Sequence, residues 1–198
     1  MSWPNRITIL RLLLVTPFVL LLLDAAESPA YRYGAMALAV LVGALDAADG
    51  ILARRIGAVT RIGSILDPLA DYAFMISALA ILSMKGVLSA EADVRLPYWV
   101  SVTLIARALF MLVGSVILHL LTGFCQGMPT VAGKAATVLQ FIVVASMCAA
   151  PDFLALLPRA VPVLLHVLWG ATVLLGVVSW LGYVRTGSKI LTAGGHGE

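Results

Sequence analysis

Charge is what this sequence has least of. Only 12% of its 198 residues are Asp, Glu, Lys or Arg, about half the share of a soluble domain, while 62% are hydrophobic. So few polar side chains do not cover a globule in water. Lipid solvates an apolar exterior directly, and a membrane is the environment this composition fits. Cysteine is nearly absent as well. Cys125 and Cys148 exclude a disulfide framework, and each falls in or beside an apolar run where a small buried thiol is expected. The net charge of +3 is too small for a nucleic-acid footprint, so no nucleic-acid partner is expected. It suits basic loops facing an anionic leaflet.

What the sequence has in abundance is long apolar runs. A bilayer core of about 30 Å takes roughly 20 apolar residues as a helix. Six runs of that order stand between polar breaks: Ile7–Leu23, Tyr31–Ala48, Ser64–Lys85, Pro97–Leu121, Gly133–Ala150 and Val161–Val184. The breaks at Asp24 to Pro29, Gly86 to Pro97, Thr122 to Pro129 and Pro151 to Pro162 are rich in Pro, Gly or acidic residues. The first run follows Arg6 as a signal peptide would, yet Arg11 sits inside it and no small-residue cleavage site closes it, so it is read as a span. The expectation is an all-α integral membrane protein of six transmembrane helices, one domain over residues 1–185, followed by a flexible Gly-rich tail over 186–198. Trp99, Trp169 and Trp180, with Tyr98 and Tyr183, fall near run ends and read as interfacial belt residues. His119 and His166 have no companion at metal-ligand spacing and read as hydrogen-bonded or interfacial histidines.

An even number of spans puts both termini on one side, and basic residues choose the side. Arg6, Arg11, Arg54, Arg55, Arg61, Lys134, Arg185 and Lys189 fall on the face of the termini, against Arg32, Lys85, Arg95 and Arg159 on the other. Cytoplasmic termini follow, and with them a cytoplasmic second connection. That connection reads Asp46-Ala-Ala-Asp49-Gly50-Ile-Leu-Ala53-Arg54, then eight residues, then Gly63-Ser-Ile-Leu-Asp67-Pro-Leu-Ala-Asp71. Asp46 and Asp49 are three apart, and Asp67 and Asp71 four apart, so on helices each pair shares a face. Two facing helix ends then bring four carboxylates together. Such a cluster at membrane depth demands neutralisation by protons or, better, by divalent cations. All-oxygen ligands suit Mg²⁺, Mn²⁺ or Ca²⁺ rather than zinc, and a two-metal phosphoryl-transfer site on the cytoplasmic side is the natural use. Gly50, Ala53 and Gly63 leave room beside the acids for a flat base or a diphosphate, or serve simply to let helices pack closely.

The stretch from Asp46 to Asp71 resembles the signature of the CDP-alcohol phosphotransferases, D-x2-D-G-x2-A-R-x8-G-x3-D-x3-D, at all eight fixed positions over 26 residues. The six-span architecture of that family fits nearly the whole chain. The resemblance implies displacement of CMP from a CDP-linked lipid or alcohol by a hydroxyl, with Mg²⁺ or Mn²⁺ in a two-metal site. It implies Asp46, Asp49 and Asp67 as principal metal ligands, and Asp71 at the metal site as acceptor of the proton from the attacking hydroxyl. Gly50, Ala53 and Gly63 would make room for the cytidine nucleotide, and Arg54 would position acids or phosphates. A homodimer in a bacterial inner membrane is implied too.

Outside the signature, Pro4-Asn5-Arg6-Ile7-Thr8-Ile-Leu-Arg11 is similar to the N-x-[LI]-T-x-x-R opening of members that use CDP-diacylglycerol. Asn5 and Thr8 are thereby candidates for the donor site, and equally for simple helix capping. Arg11 lies inside a span, where a cation faces a polar cavity and an anionic partner, and it is a candidate phosphate contact. Arg107 in the fourth run and Lys134 at the start of the fifth are further cations for an anionic acceptor, with snorkelling as the plain alternative for Lys134. Gly133-Lys134 followed by Thr137 and Gln140 resembles phosphatidylglycerophosphate synthases and the single-CDP-alcohol type of cardiolipin synthase. Ala108 follows Arg107, which matches neither the A-x-R-E of the first nor the Arg-Asp of the second. The expected reaction is transfer of a phosphatidyl group from CDP-diacylglycerol to glycerol-3-phosphate or phosphatidylglycerol. Its rivals are the same chemistry on inositol phosphate or serine, and a cation-binding membrane transporter.

Overall fold

The computed structural model describes residues 3–56, 63–89, 94–122 and 131–194, and within them the side chains other than those of 3–7, 47, 49–56, 63–68, 115, 118–122, 131 and 186–194. The described chain is all-helical, with α1 Trp3–Leu23, α2 Pro29–Ile56, α3 Gly63–Leu82, α4 Tyr98–Thr122, α5 Val131–Leu156 and α6 Ala160–Gly194. Each apolar run becomes one helix because only a helix satisfies its own backbone polar groups away from water. Helix starts follow local chemistry. Ser28 caps α2 by accepting from the Ala30 N–H at 3.2 Å, and Pro29 occupies the first helical position, where no N–H is needed. After α3 the chain turns through Gly86, whose φ of 74° suits glycine and strains other residues.

Three helices extend past their expected ends, and the first is α2, which runs to Ile56 instead of stopping at Ala48. α5 continues through Pro151 to Leu156 instead of stopping at Ala150. Proline there withholds one N–H from the carbonyl of Met147, a local loss that does not unwind the helix when Asp152 in the next position is tied to another helix. That tie is an ion pair: Arg32 Nη2 lies 2.6 Å from Asp152 Oδ1, and the Tyr33 hydroxyl donates to Oδ2 at 2.9 Å. α6 continues to Gly194, past the expected end at Val184. Two stretches, Ala132–Leu156 and Ala160–Arg185, are long and apolar enough by themselves to cross a membrane.

Neighbouring helices follow the closed order α1, α2, α5, α6, α4, α3 and back to α1, and α3 also touches α5 across the ring. Phe18 of α1, Phe74 of α3 and Phe141 of α5 form an aromatic column, with centroids 4.4 and 5.7 Å apart. Gly43 lets the Phe141 ring rest on α2, since a Cβ there would sit 3.2 Å from the ring. Exposed Leu, Val and Phe side chains cover the outside of the bundle, as a lipid-facing surface requires and a water-facing one does not.

Candidate functional site: two acids on a buried arginine

The centre of the site is Arg11. Its side chain is only 2% exposed and reaches Asp46 Oδ1 of α2 at 3.1 Å, while the same Nη2 pairs with Asp71 Oδ1 of α3. One guanidinium thus draws together the first and last acids of the signature, from two different helices. The geometry follows from the ring: α1 packs against both α2 and α3, so an inward position on its first half faces both. Thr8, three residues before Arg11 and one turn of helix away, is buried on the same side of α1.

Asp49 and Asp67 lie within α2 and α3, three residues from Asp46 and four from Asp71 respectively. Gly50, Ala53 and Arg54 occupy the last turns of α2, Gly63 opens α3, and Asn5 lies in the first turns of α1. The side chains of Asn5, Asp49, Gly50, Ala53, Arg54, Gly63 and Asp67 lie outside the described set. Among the described residues no group of three ligating side chains comes together. What does come together fits a cation. A single positive nitrogen bridges Asp46 and Asp71, so both carboxylates face one position that holds positive charge, and all-oxygen donors suit Mg²⁺ or Mn²⁺.

A second buried cation stands on α4. Arg107 is 9% exposed, with Nη2 3.5 Å from the Ser179 hydroxyl of α6 and with no hydrogen-bond partner at Nε among the described residues. Gly176 makes its berth, since a Cβ at that position would meet Arg107 Cδ at 3.2 Å. Tyr72, adjacent in sequence to Asp71, is near enough to Arg107 to interact with it electrostatically. Arg107 therefore faces the part of α3 next to Asp71. Lys134 is exposed in the first turn of α5. Sequence reasoning missed Ser179 and Tyr72, because nothing in the local pattern of a serine in an apolar helix distinguishes a polar partner from filler. The periodicity offered one signal: Gly176 and Ser179 are three apart and share a face of α6.

The remaining readings also find their places. His166 Nδ1 donates to the Pro162 carbonyl at 2.6 Å, while His119 has its side chain, and Cys125 the whole residue, outside the described residues. Trp99 is exposed, whereas Trp169, expected in the interfacial belt, is 5% exposed, because it points inward against α5.

The helical ring and its pair of acids define a class, and comparison with known proteins identifies it. Residues 1–183 match the profile of the CDP-alcohol phosphatidyltransferases, and the chain belongs to that membrane-associated family. It is 32% identical over 134 residues to a putative cardiolipin synthase of Mycobacterium tuberculosis, covering 68% of this chain and 58% of that one. It is 38% identical over 106 residues to a probable phosphatidylglycerophosphate synthase of the same organism, covering 53% and 47%. It is 33% identical over 137 residues to a CMP-forming cardiolipin synthase of Streptomyces coelicolor, covering 68% and 59%. The chain thus spans about half to three-fifths of the length of the curated relatives it matches.

Proposed function

We propose that this protein transfers the phosphatidyl group of CDP-diacylglycerol to a hydroxyl of a glycerol-type acceptor, glycerol-3-phosphate or phosphatidylglycerol, and releases CMP. The observation that carries the reading is the convergence of Asp46 and Asp71 on Arg11, within a signature complete at all eight positions. Asp46, Asp49, Asp67 and Asp71 would hold Mg²⁺ or Mn²⁺ in a two-metal site, which when occupied neutralises the charge developing on the donor diphosphate. Asn5, Thr8, Gly50, Ala53 and Gly63 line the donor site, and Arg54 positions its phosphates. Asp71 takes the proton of the acceptor hydroxyl as its oxygen attacks the phosphatidyl phosphorus. The bond from that phosphorus to CMP breaks, and its electron pair leaves with the nucleotide. Arg11 holds the two carboxylates in register before the donor arrives.

An anionic acceptor is supported by Arg107. A buried guanidinium whose Nε has no partner among the described residues has donor capacity that a phosphate oxygen satisfies, and Lys134 adds charge in the first turn of α5. The relatives named cardiolipin and phosphatidylglycerophosphate synthases point to the same acceptor class. In the membrane the six helices span the bilayer with the acids and both termini on the cytoplasmic side, in keeping with the distribution of Arg and Lys, and two copies pair as a homodimer.

A panel of acceptors decides the assignment. Purified protein, CDP-diacylglycerol and Mn²⁺ are combined with glycerol-3-phosphate, phosphatidylglycerol, inositol or serine, and CMP is measured. Release should require one of the two glycerol-type acceptors. Arg107→Gln should raise that acceptor's KM roughly ten- to a hundredfold, the effect of one lost charge-assisted contact, with the donor KM unchanged. Release with inositol or serine alone, or an unaltered acceptor KM, would overturn the acceptor assignment.

A further inference from the structure

The opposite end of the bundle holds a cavity. Arg32 of α2 lies fourteen residues before Asp46, about 21 Å along the helix, and its partner Asp152 marks the matching level on α5. At that level a pocket of about 170 Å³ opens between α5, the N-terminal third of α6 and the segment leading into α4, lined by Met147, Ala150, Leu154, Leu165, Trp169 and Arg95. Its wall is mostly apolar, and three polar side chains interrupt it: Trp169, His166 and Arg95. Trp169 is 5% exposed and its indole N–H has no hydrogen-bond partner among the described residues, an arrangement that costs free energy until an acceptor arrives. Arg95 stands at the margin, its guanidinium over the Tyr98 ring at 5.3 Å. The described neighbours do not supply that acceptor: the His166 ring lies tilted against Trp169 with centroids 4.8 Å apart and turns Nδ1 to Pro162, and Asp152 is engaged by Arg32 and Tyr33.

We infer that this pocket binds an anionic phospholipid of the leaflet opposite the carboxylate site, separately from the transfer reaction. An apolar cavity of about 150 Å³ accommodates a benzene ring, so this one takes roughly six carbons at the head of an acyl chain. An ester oxygen next to those carbons accepts from Trp169 Nε1, and the lipid phosphate lies toward Arg95. A free phosphate would meet the donor and the cation but leave the apolar wall uncovered, and a lipid meets all three. An apolar wall, one unsatisfied donor and a cation at the rim repeat the order of chain, ester and phosphate in a phospholipid.

The test reads the site directly. The chain has four tryptophans, so protein labelled with ¹⁵N at the indole nitrogens in maltoside micelles gives four N–H cross-peaks. That of Trp169 is assigned by its loss in Trp169→Phe, or by elimination with Trp3→Phe, Trp99→Phe and Trp180→Phe. Phosphatidylglycerol and phosphatidylcholine are titrated separately. The Trp169 peak should move and saturate with both lipids, at about fivefold lower concentration for phosphatidylglycerol, the effect of one basic side chain near an anionic headgroup. Arg95→Gln should bring the two titrations together while the peak still moves. A Trp169 peak that stays fixed, that responds equally to both lipids in the unsubstituted protein, or that keeps its preference in Arg95→Gln would overturn the inference.

Discussion

At the scale of the residue, the site rests on an arginine whose two partners come from other helices. Removing Arg11 leaves Asp46 and Asp71 facing each other, and at membrane depth two carboxylates without a cation repel. Arg11→Gln should therefore lower the thermal midpoint in chelator, and millimolar Mg²⁺ should recover much of the loss, because any cation between the acids relieves the same repulsion. A midpoint equally low with and without Mg²⁺ would mean that Arg11 stabilises by packing alone. Asp71→Asn probes the proposed proton acceptor. The amide keeps the shape of the carboxylate but takes no proton, so binding of a CDP ligand should persist while the single-turnover rate falls by two or more orders of magnitude. If affinity collapses as far as it does in Asp49→Asn, Asp71 is chiefly a ligand. Spacing alone makes the pairing of acids on α2 and α3 legible, since a motif of 26 residues carries it. The bond to Arg11 is not legible, because it joins positions 35 and 60 residues apart whose proximity only helix packing creates.

At the scale of the element, small residues and one distant ion pair set how the helices meet. A Cβ at Gly114 of α4 would lie 2.8 Å from Tyr183 Cε1 of α6. Gly114→Ala should thus force the two helices apart and cost about 1–3 kcal/mol, whereas Gly170→Ala, with nothing within 4 Å, should change stability little. Thermal unfolding of both variants in detergent checks the contrast, and equal midpoints would contradict the packing. Asp152→Asn should weaken the tie between α2 and α5 yet leave the rate of CMP release near normal, since the tie lies at the far end from the acids. A large loss of rate with unchanged unfolding would show that the two ends are coupled. Apolar run length makes the six helices legible, with starts within four residues of those observed. The end of α5 is not, because Pro151 and Asp152 have the chemistry of a break, and only Arg32 and Tyr33, 120 and 119 residues away, show why the helix persists.

At the scale of the whole molecule, six helices close into a ring whose two ends differ in kind. One gathers Arg11, Asp46 and Asp71; the other holds the Arg32–Asp152 pair and the pocket at Trp169. An ion path through the bundle would have to pass the aromatic column of Phe18, Phe74 and Phe141, which stands between these ends. This distribution fits chemistry on one face rather than passage across. The central claim is that the carboxylates carry a metal-dependent phosphatidyl transfer, and a single assay tests it. Protein in detergent, with CDP-diacylglycerol and glycerol-3-phosphate or phosphatidylglycerol, is assayed for CMP and for the phosphatidyl product, with Mn²⁺ and with chelator, beside Asp46→Asn. Equal amounts of CMP and product with metal, none in chelator, and a rate lower by at least two orders of magnitude in Asp46→Asn are the expected result. CMP release that persists in chelator, or an Asp46→Asn variant that turns over at the normal rate, would contradict it.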